Sequence, residues 1–110
     1  DPNDFKLIKD VVLLQLDLQN YNAVISESEK ALELYPAQPL LYLVNGVANN
    51  KKQNYKAAIE SLEMGKDFLV ENPKMEADFY SELSIAFKGI NNISKSEAFA
   101  KKAQAIKAEQ

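Results

Sequence analysis

The sequence predicts an all-α protein of stacked antiparallel helix pairs, and three observations carry that expectation. Asn20-Tyr21-Asn22-Ala23-Val24-Ile25 returns 34 residues later as Asn54-Tyr55-Lys56-Ala57-Ala58-Ile59, and a fixed period of roughly 20–50 residues marks one supersecondary unit recurring in a stack. Apolar residues recur at three-and-four spacing through six segments, the pattern of helices buried along one face. Gly is confined to Gly46, Gly65 and Gly89, and the four Pro residues stand near expected helix starts or in loops, which leaves long stretches free to be helical.

The first helix is expected over residues 4–18, which contain the apolar run 11–14. A second follows at 21–35, where Val24, Ile25, Ser28, Ala31, Leu32 and Tyr35 form one stripe, apolar except at Ser28. The third, 38–52, carries the apolar run 40–44, and the fourth, 55–71, repeats the stripe with Ala58, Ile59, Leu62, Gly65, Lys66 and Leu69. Four extra residues between Met64 and Glu76 are expected to lengthen this fourth helix by one turn, about 6 Å at ~1.5 Å per residue. A fifth helix is expected at 75–89 and a sixth at 93–109. Linkers of a few residues suit antiparallel neighbours.

Ala31, Gly65 and Ala103 share one place in three successive units, each a small side chain where helices approach closely, and Val24, Ala58 and Ser96 form a second such set. These sets align the sixth helix although its opening turn, Asn92-Ile93-Ser94-Lys95, has neither the Tyr nor the Ala of the earlier ones. The units are residues 5–38, 39–72 and 77–110 of a single domain over residues 1–110.

At 110 residues and 46% hydrophobic content the chain has material for one packed core. Its longest apolar runs fall far short of the roughly 20 residues that cross a bilayer, so membrane insertion is not expected. Having neither Cys nor His, it lacks thiolate nucleophiles, imidazole bases and the usual zinc ligands, which removes most catalytic and metal chemistry; no cofactor is expected. All 13 basic residues are Lys, and without Arg there is no planar fork to read guanine or grip phosphate in two places, which argues against nucleic acid. Residues 1–38 hold seven acids against three Lys, residues 39–72 four of each, and residues 73–110 five acids against six Lys, so no segment is a strong polyanion or polycation. A repeat array presents an extended surface with no enclosed pocket, which points to a protein that holds other proteins and not to an enzyme.

The segment Lys30-Ala31-Leu32-Glu33-Leu34-Tyr35-Pro36, closing a stretch that opens at Tyr21, together with the 34-residue period, resembles the tetratricopeptide repeat, a helix-turn-helix unit of that length. Tyr42 and Gly46 of the second unit sit where that family places bulky and small first-helix residues. The chain departs from the family at Asn45 and Asn49, where Leu and an aromatic are usual, in the delay of the closing Pro to Pro73, and in the weak third unit. The resemblance implies a right-handed superhelix of three antiparallel helix pairs. Asp1-Pro2-Asn3-Asp4 resembles the closing turn of a preceding unit, so upstream repeats are expected, and the exposed array ends are a route to self-association.

In this family the first helix of each unit lines a concave groove. That nominates Lys6, Lys9, Asp10, Leu13, Leu16 and Asp17 from the first unit, Leu40, Leu43, Val44, Val47, Asn50 and Lys51 from the second, and Asp78, Ser81, Glu82, Ile85 and Lys88 from the third. Lys9, Leu13, Leu43, Val44, Val47, Asn50, Ser81 and Ile85 are the partner-binding candidates. An apolar strip of this kind marks a protein contact, unless a flanking helix of a longer protein covers it. The expected function is an interaction scaffold that takes a peptide or helix of a protein partner into the groove; the alternative is a regulatory or sensor segment packing on an output domain of the same larger protein. The chaperone-tail clamp of some family members is disfavoured, because only Lys9 matches it and the other places hold Leu13, Val44, Asp78 and Ser81.

Asp78 and Glu82 lie one helical turn apart, as an acid and base pair would, but a solvated helix face is the favoured reading. Asn45 and Asn49 suit a hook for a peptide backbone; bonding to each other or to loop carbonyls is favoured over it, since buried polar groups need partners. Asn92-Ile93-Ser94 fits the N-glycosylation pattern, a short motif in a turn.

Overall fold

Each of the six expected segments is helical in the computed structural model, which describes residues 2–110, with side chains from residue 4 onward. The helices are α1 (Pro2–Asp17), α2 (Tyr21–Leu34), α3 (Pro39–Lys51), α4 (Tyr55–Lys66), α5 (Pro73–Gly89) and α6 (Ile93–Ala108), and the described residues contain no strand. Consecutive helices pack on each other, and the backbones of α1 and α3 and of α3 and α5 also come close, whereas α2 and α4, and α4 and α6, approach only through side chains. The odd-numbered helices therefore lie side by side in one layer, with the even-numbered ones packed against it, in a body of 40 × 29 × 22 Å. Neighbours run antiparallel: across α3 and α4, Gly46 faces Leu62 while Gly65 faces Tyr42, and across α5 and α6, Ser84 meets Ser96 while Ser81 meets Lys107.

The three turns that join α1 to α2, α3 to α4 and α5 to α6 share one backbone solution. Gln19, Gln53 and Asn91 take left-handed φ values of 61°, 63° and 64°, and each is followed by Asn. The Gln19 amide donates to the Leu16 carbonyl at 3.0 Å and the Asn20 amide to the Gln15 carbonyl at 2.9 Å, and the same pair of bonds recurs at Gln53 and Asn54 and at Asn91 and Asn92. This Schellman closure satisfies carbonyls that the helix end leaves open, and it does so with side-chain-bearing residues in a region that costs them roughly 1–2 kcal/mol.

The four extra residues do not extend α4, which stops at Lys66; residues 67–72 form an irregular loop before Pro73 opens α5. Packing explains the difference. Phe68 turns back to stack on Tyr42, with ring centroids 5.6 Å apart and planes at 17°, and Leu69 packs against the core. Asn72 then caps α5 by accepting the Met75 amide at 3.1 Å, with Pro73 in the first turn, where a missing N–H leaves nothing unpaired. The expected turn at Asp1-Pro2-Asn3-Asp4 is not formed as such, since α1 begins at Pro2; Asp1 lies outside the described residues.

Tyr42, Leu43, Ala58, Leu62, Phe79, Leu83, Ala86 and Phe87 form one core cluster, and Val12, Val24, Val44 and Ala48 a second. Both sets of small residues, Ala31, Gly65 and Ala103 with Val24, Ala58 and Ser96, are buried. The two polar exceptions on the stripes are both engaged. Lys66, half-buried, pairs with Glu63 at 3.2 Å and lies 5.7 Å from the centre of the Phe99 ring. Ser28 is fully buried; it donates to the Ile25 carbonyl at 3.1 Å and accepts from Asn45 at 3.0 Å, and Asn49 donates to Asn45 Oδ1 at 2.9 Å. Asn45 and Asn49 thus bond to each other and to Ser28 in a buried polar seam, the arrangement favoured over a hook for a peptide. Asn45→Ala is expected to cost about 1–2 kcal/mol, because Ser28 and Asn49, both buried, each lose a partner. The double variant Ser28→Ala/Asn45→Leu should recover most of that loss in urea unfolding.

Candidate binding groove

Helical spacing on three elements assembles one open groove of about 350 Å³. Leu13 and Leu16 project from α1, three residues apart, and Leu40, Leu43, Val44 and Val47 follow i, i+3, i+4, i+7 along α3, so each set occupies a single face. Asp78, Ser81 and Glu82 repeat that spacing on α5, and Lys107 reaches in from the last turn of α6. The floor and one wall are aliphatic. The opposite wall is polar, with carboxylates at Asp78 and Glu82 and the Lys107 ammonium donating to Ser81 Oγ at 3.3 Å.

The structure brings Leu13, Leu43, Val44, Val47 and Ser81 together at this groove. Leu43 and Val44 are at the same time members of the two core clusters, so only part of each side chain faces the opening. Val47 is half-buried against the first cluster. Lys9, Asn50 and Ile85 are not among the residues that line it. Asn50 is buried and employed elsewhere: its Nδ2 donates to both the backbone carbonyl and Oε1 of Glu82, each at 3.0 Å, which ties α3 to α5. Ile85 lies one turn beyond Ser81 with about half of its surface exposed (48%). Among the other nominated charges, Lys6 and Asp10 pair with each other on the surface at 3.0 Å.

Lys107 is the lining residue that the unit geometry misses, because it belongs to a second helix and meets Ser81 only through the closure of α6 on α5. Asp78 and Glu82 stand on the polar wall, Glu82 held by Asn50. Asn92 uses its Oδ1 to cap α6, accepting the Lys95 amide at 3.2 Å. Away from the groove, the Tyr80 phenol titrates above its ordinary range, because burial disfavours the phenolate and the Glu76 carboxylate, which accepts a hydrogen bond from the Tyr80 hydroxyl at 3.3 Å, adds to the effect. No helix among the described residues is long and apolar enough to cross a membrane. No protein-family model and no curated protein matches the chain.

Proposed function

We propose that the chain is a tetratricopeptide-like binding module, three helix pairs in a right-handed superhelix, that holds a peptide or helix of a protein partner and catalyses no reaction. The observation that carries this reading is the groove across α1, α3 and α5, with six aliphatic side chains on its floor and one wall and Asp78, Ser81, Glu82 and Lys107 on the other. An apolar floor gives affinity when a partner removes it from water, and a charged margin on one side sets the partner's orientation. The layered arrangement, with α1, α3 and α5 side by side, supports the superhelix.

Panning a random peptide library displayed on phage tests the reading directly. Enriched peptides should carry apolar anchors and lose about tenfold or more in affinity on Val47→Lys, the equivalent of roughly 1–2 kcal/mol of buried apolar contact. Ile85→Lys, outside the lining, should leave that affinity unchanged. If enriched peptides bind the Val47→Lys variant as tightly as the parent, while circular dichroism shows both equally folded, the binding surface lies elsewhere.

A further inference from the structure

The polar wall of the groove holds acceptors that no donor of the chain answers. Asp78 and Glu82 stand one turn apart on α5, and both line the groove opposite its aliphatic side chains. Among the described residues the ion pairs are Lys6 with Asp10 and Lys66 with Glu63, so neither groove carboxylate has a cation within 4.0 Å. Glu82 accepts at Oε1 from Asn50, which fixes that carboxylate before any partner arrives and leaves its second oxygen open. Asn50 supplies a third acceptor. Its Nδ2 is committed to Glu82, while its Oδ1, in a residue only 6% exposed, has no hydrogen-bond partner in the chain. A buried carbonyl oxygen without a donor is costly, and it marks this junction of α3 and α5 as short of donors.

The bases around the wall leave that shortage in place. Lys107 lines the groove, but its ammonium donates to the neutral Ser81 hydroxyl. Lys74, one turn before Asp78, and Lys51, next to Asn50 in the chain, are exposed and pair with neither carboxylate. Two carboxylates against one ammonium leave the lining net negative. An incoming ammonium or guanidinium brings several N–H donors to a place that lacks them, whereas an incoming carboxylate brings none and would lie beside Asp78 and Glu82.

Resting on the groove reading above, we propose that the segment held there carries a lysine or arginine beside its apolar anchors, with the cationic head between Asp78 and Glu82 and the anchors on the aliphatic wall. Panning one random peptide library on the parent chain and on Asp78→Asn/Glu82→Gln tests it. Both substitutions keep side-chain size, and Gln can still accept from Asn50. Peptides from the parent should be enriched in Lys or Arg at one position relative to their anchors, and those from the double variant should keep the anchors and lose that preference. In anisotropy titrations, replacing the recovered basic residue by Gln should weaken binding to the parent about fivefold or more and leave binding to the double variant unchanged. Asp78→Asn alone, at an exposed side chain, should give part of that effect with an intact circular dichroism melt, and raised salt should weaken the parent complex. Apolar anchors without a basic preference overturn this inference and leave the groove reading standing. So does an acidic preference that Lys107→Gln removes, because Lys107 would then read a partner carboxylate. No enriched peptide, or peptides that bind Val47→Lys as tightly as the parent, overturns both.

Discussion

Phe79→Ala is expected to remove about 3–5 kcal/mol of stability, the range for truncating a buried phenylalanine. Phe79 is 0% exposed and stands where three helices meet, against Leu62 and Gly65 of α4 and in one cluster with Tyr42 of α3 and Leu83 of α5. None of these neighbours closes the void easily, because each is itself held between two helices. A loss of this size is a large share of the roughly 5–15 kcal/mol typical of a domain, and it should lower the melting temperature by more than about 10 °C. Phe68→Ala gives the comparison. Its ring, 39% exposed in the loop before α5, stacks on Tyr42, and the expected loss is about 0.5–1.5 kcal/mol for the ring pair plus some burial. Similar losses for the two variants in urea unfolding would mean that the loop, and not the α3–α4–α5 junction, holds the core together.

The helices were legible because their apolar spacing is regular and the turn at Asn20-Tyr21 returns at Asn54-Tyr55. The left-handed residue in each turn was hidden, since Gln at Gln19 and Gln53 carries none of the signal that Gly would give. The end of α4 misled for a physical reason: Phe68 and Leu69 continue the three-and-four spacing from Gly65, yet they reach the core by folding back from a loop. A cue was present in Asn72-Pro73, a cap followed by a first-turn proline, which marks a helix start and not the close of a unit. In the groove, i, i+3, i+4 spacing dictates that the aliphatic side chains of each helix share one face, while the expectation that the faces of α1 and α3 meet on one surface came from the resemblance to the repeat family. Neither could assign Asn50 to Glu82, 32 residues away, or Lys107 to Ser81, 26 residues away, since both pairings depend on how helices close in three dimensions.

Gly65→Ala sets two effects of opposite sign against each other. In an exposed helix the exchange would stabilise by up to about 1 kcal/mol through backbone entropy. Here a Cβ at Gly65 would overlap the Cβ and ring of Tyr42, with Phe79 Cε1 3.1 Å away. Tyr42 cannot retreat cheaply, because its hydroxyl donates to the Pro36 carbonyl at 2.6 Å and its own carbonyl accepts from Ser61 at 3.1 Å. The clash also falls on the first atom of the side chain and so acts almost as backbone against backbone; α3 and α4 must separate to relieve it. Ala31 and Ala103, at the same place in the other two pairs, carry the methyl group and stay buried, so the restriction comes from Tyr42 and not from the position alone. Overpacking at the upper end of about 1–3 kcal/mol should outweigh the entropic gain and leave a net loss in urea unfolding. Gly46→Ala should cost less, because the Cβ there meets Cγ and Cδ2 of Leu62 at 2.5 Å, atoms farther along a side chain than the Tyr42 Cβ that Gly65→Ala would strike first. A raised midpoint for Gly65→Ala, or a larger loss for Gly46→Ala than for Gly65→Ala, would show that the α3–α4 interface yields where the packing says it is rigid.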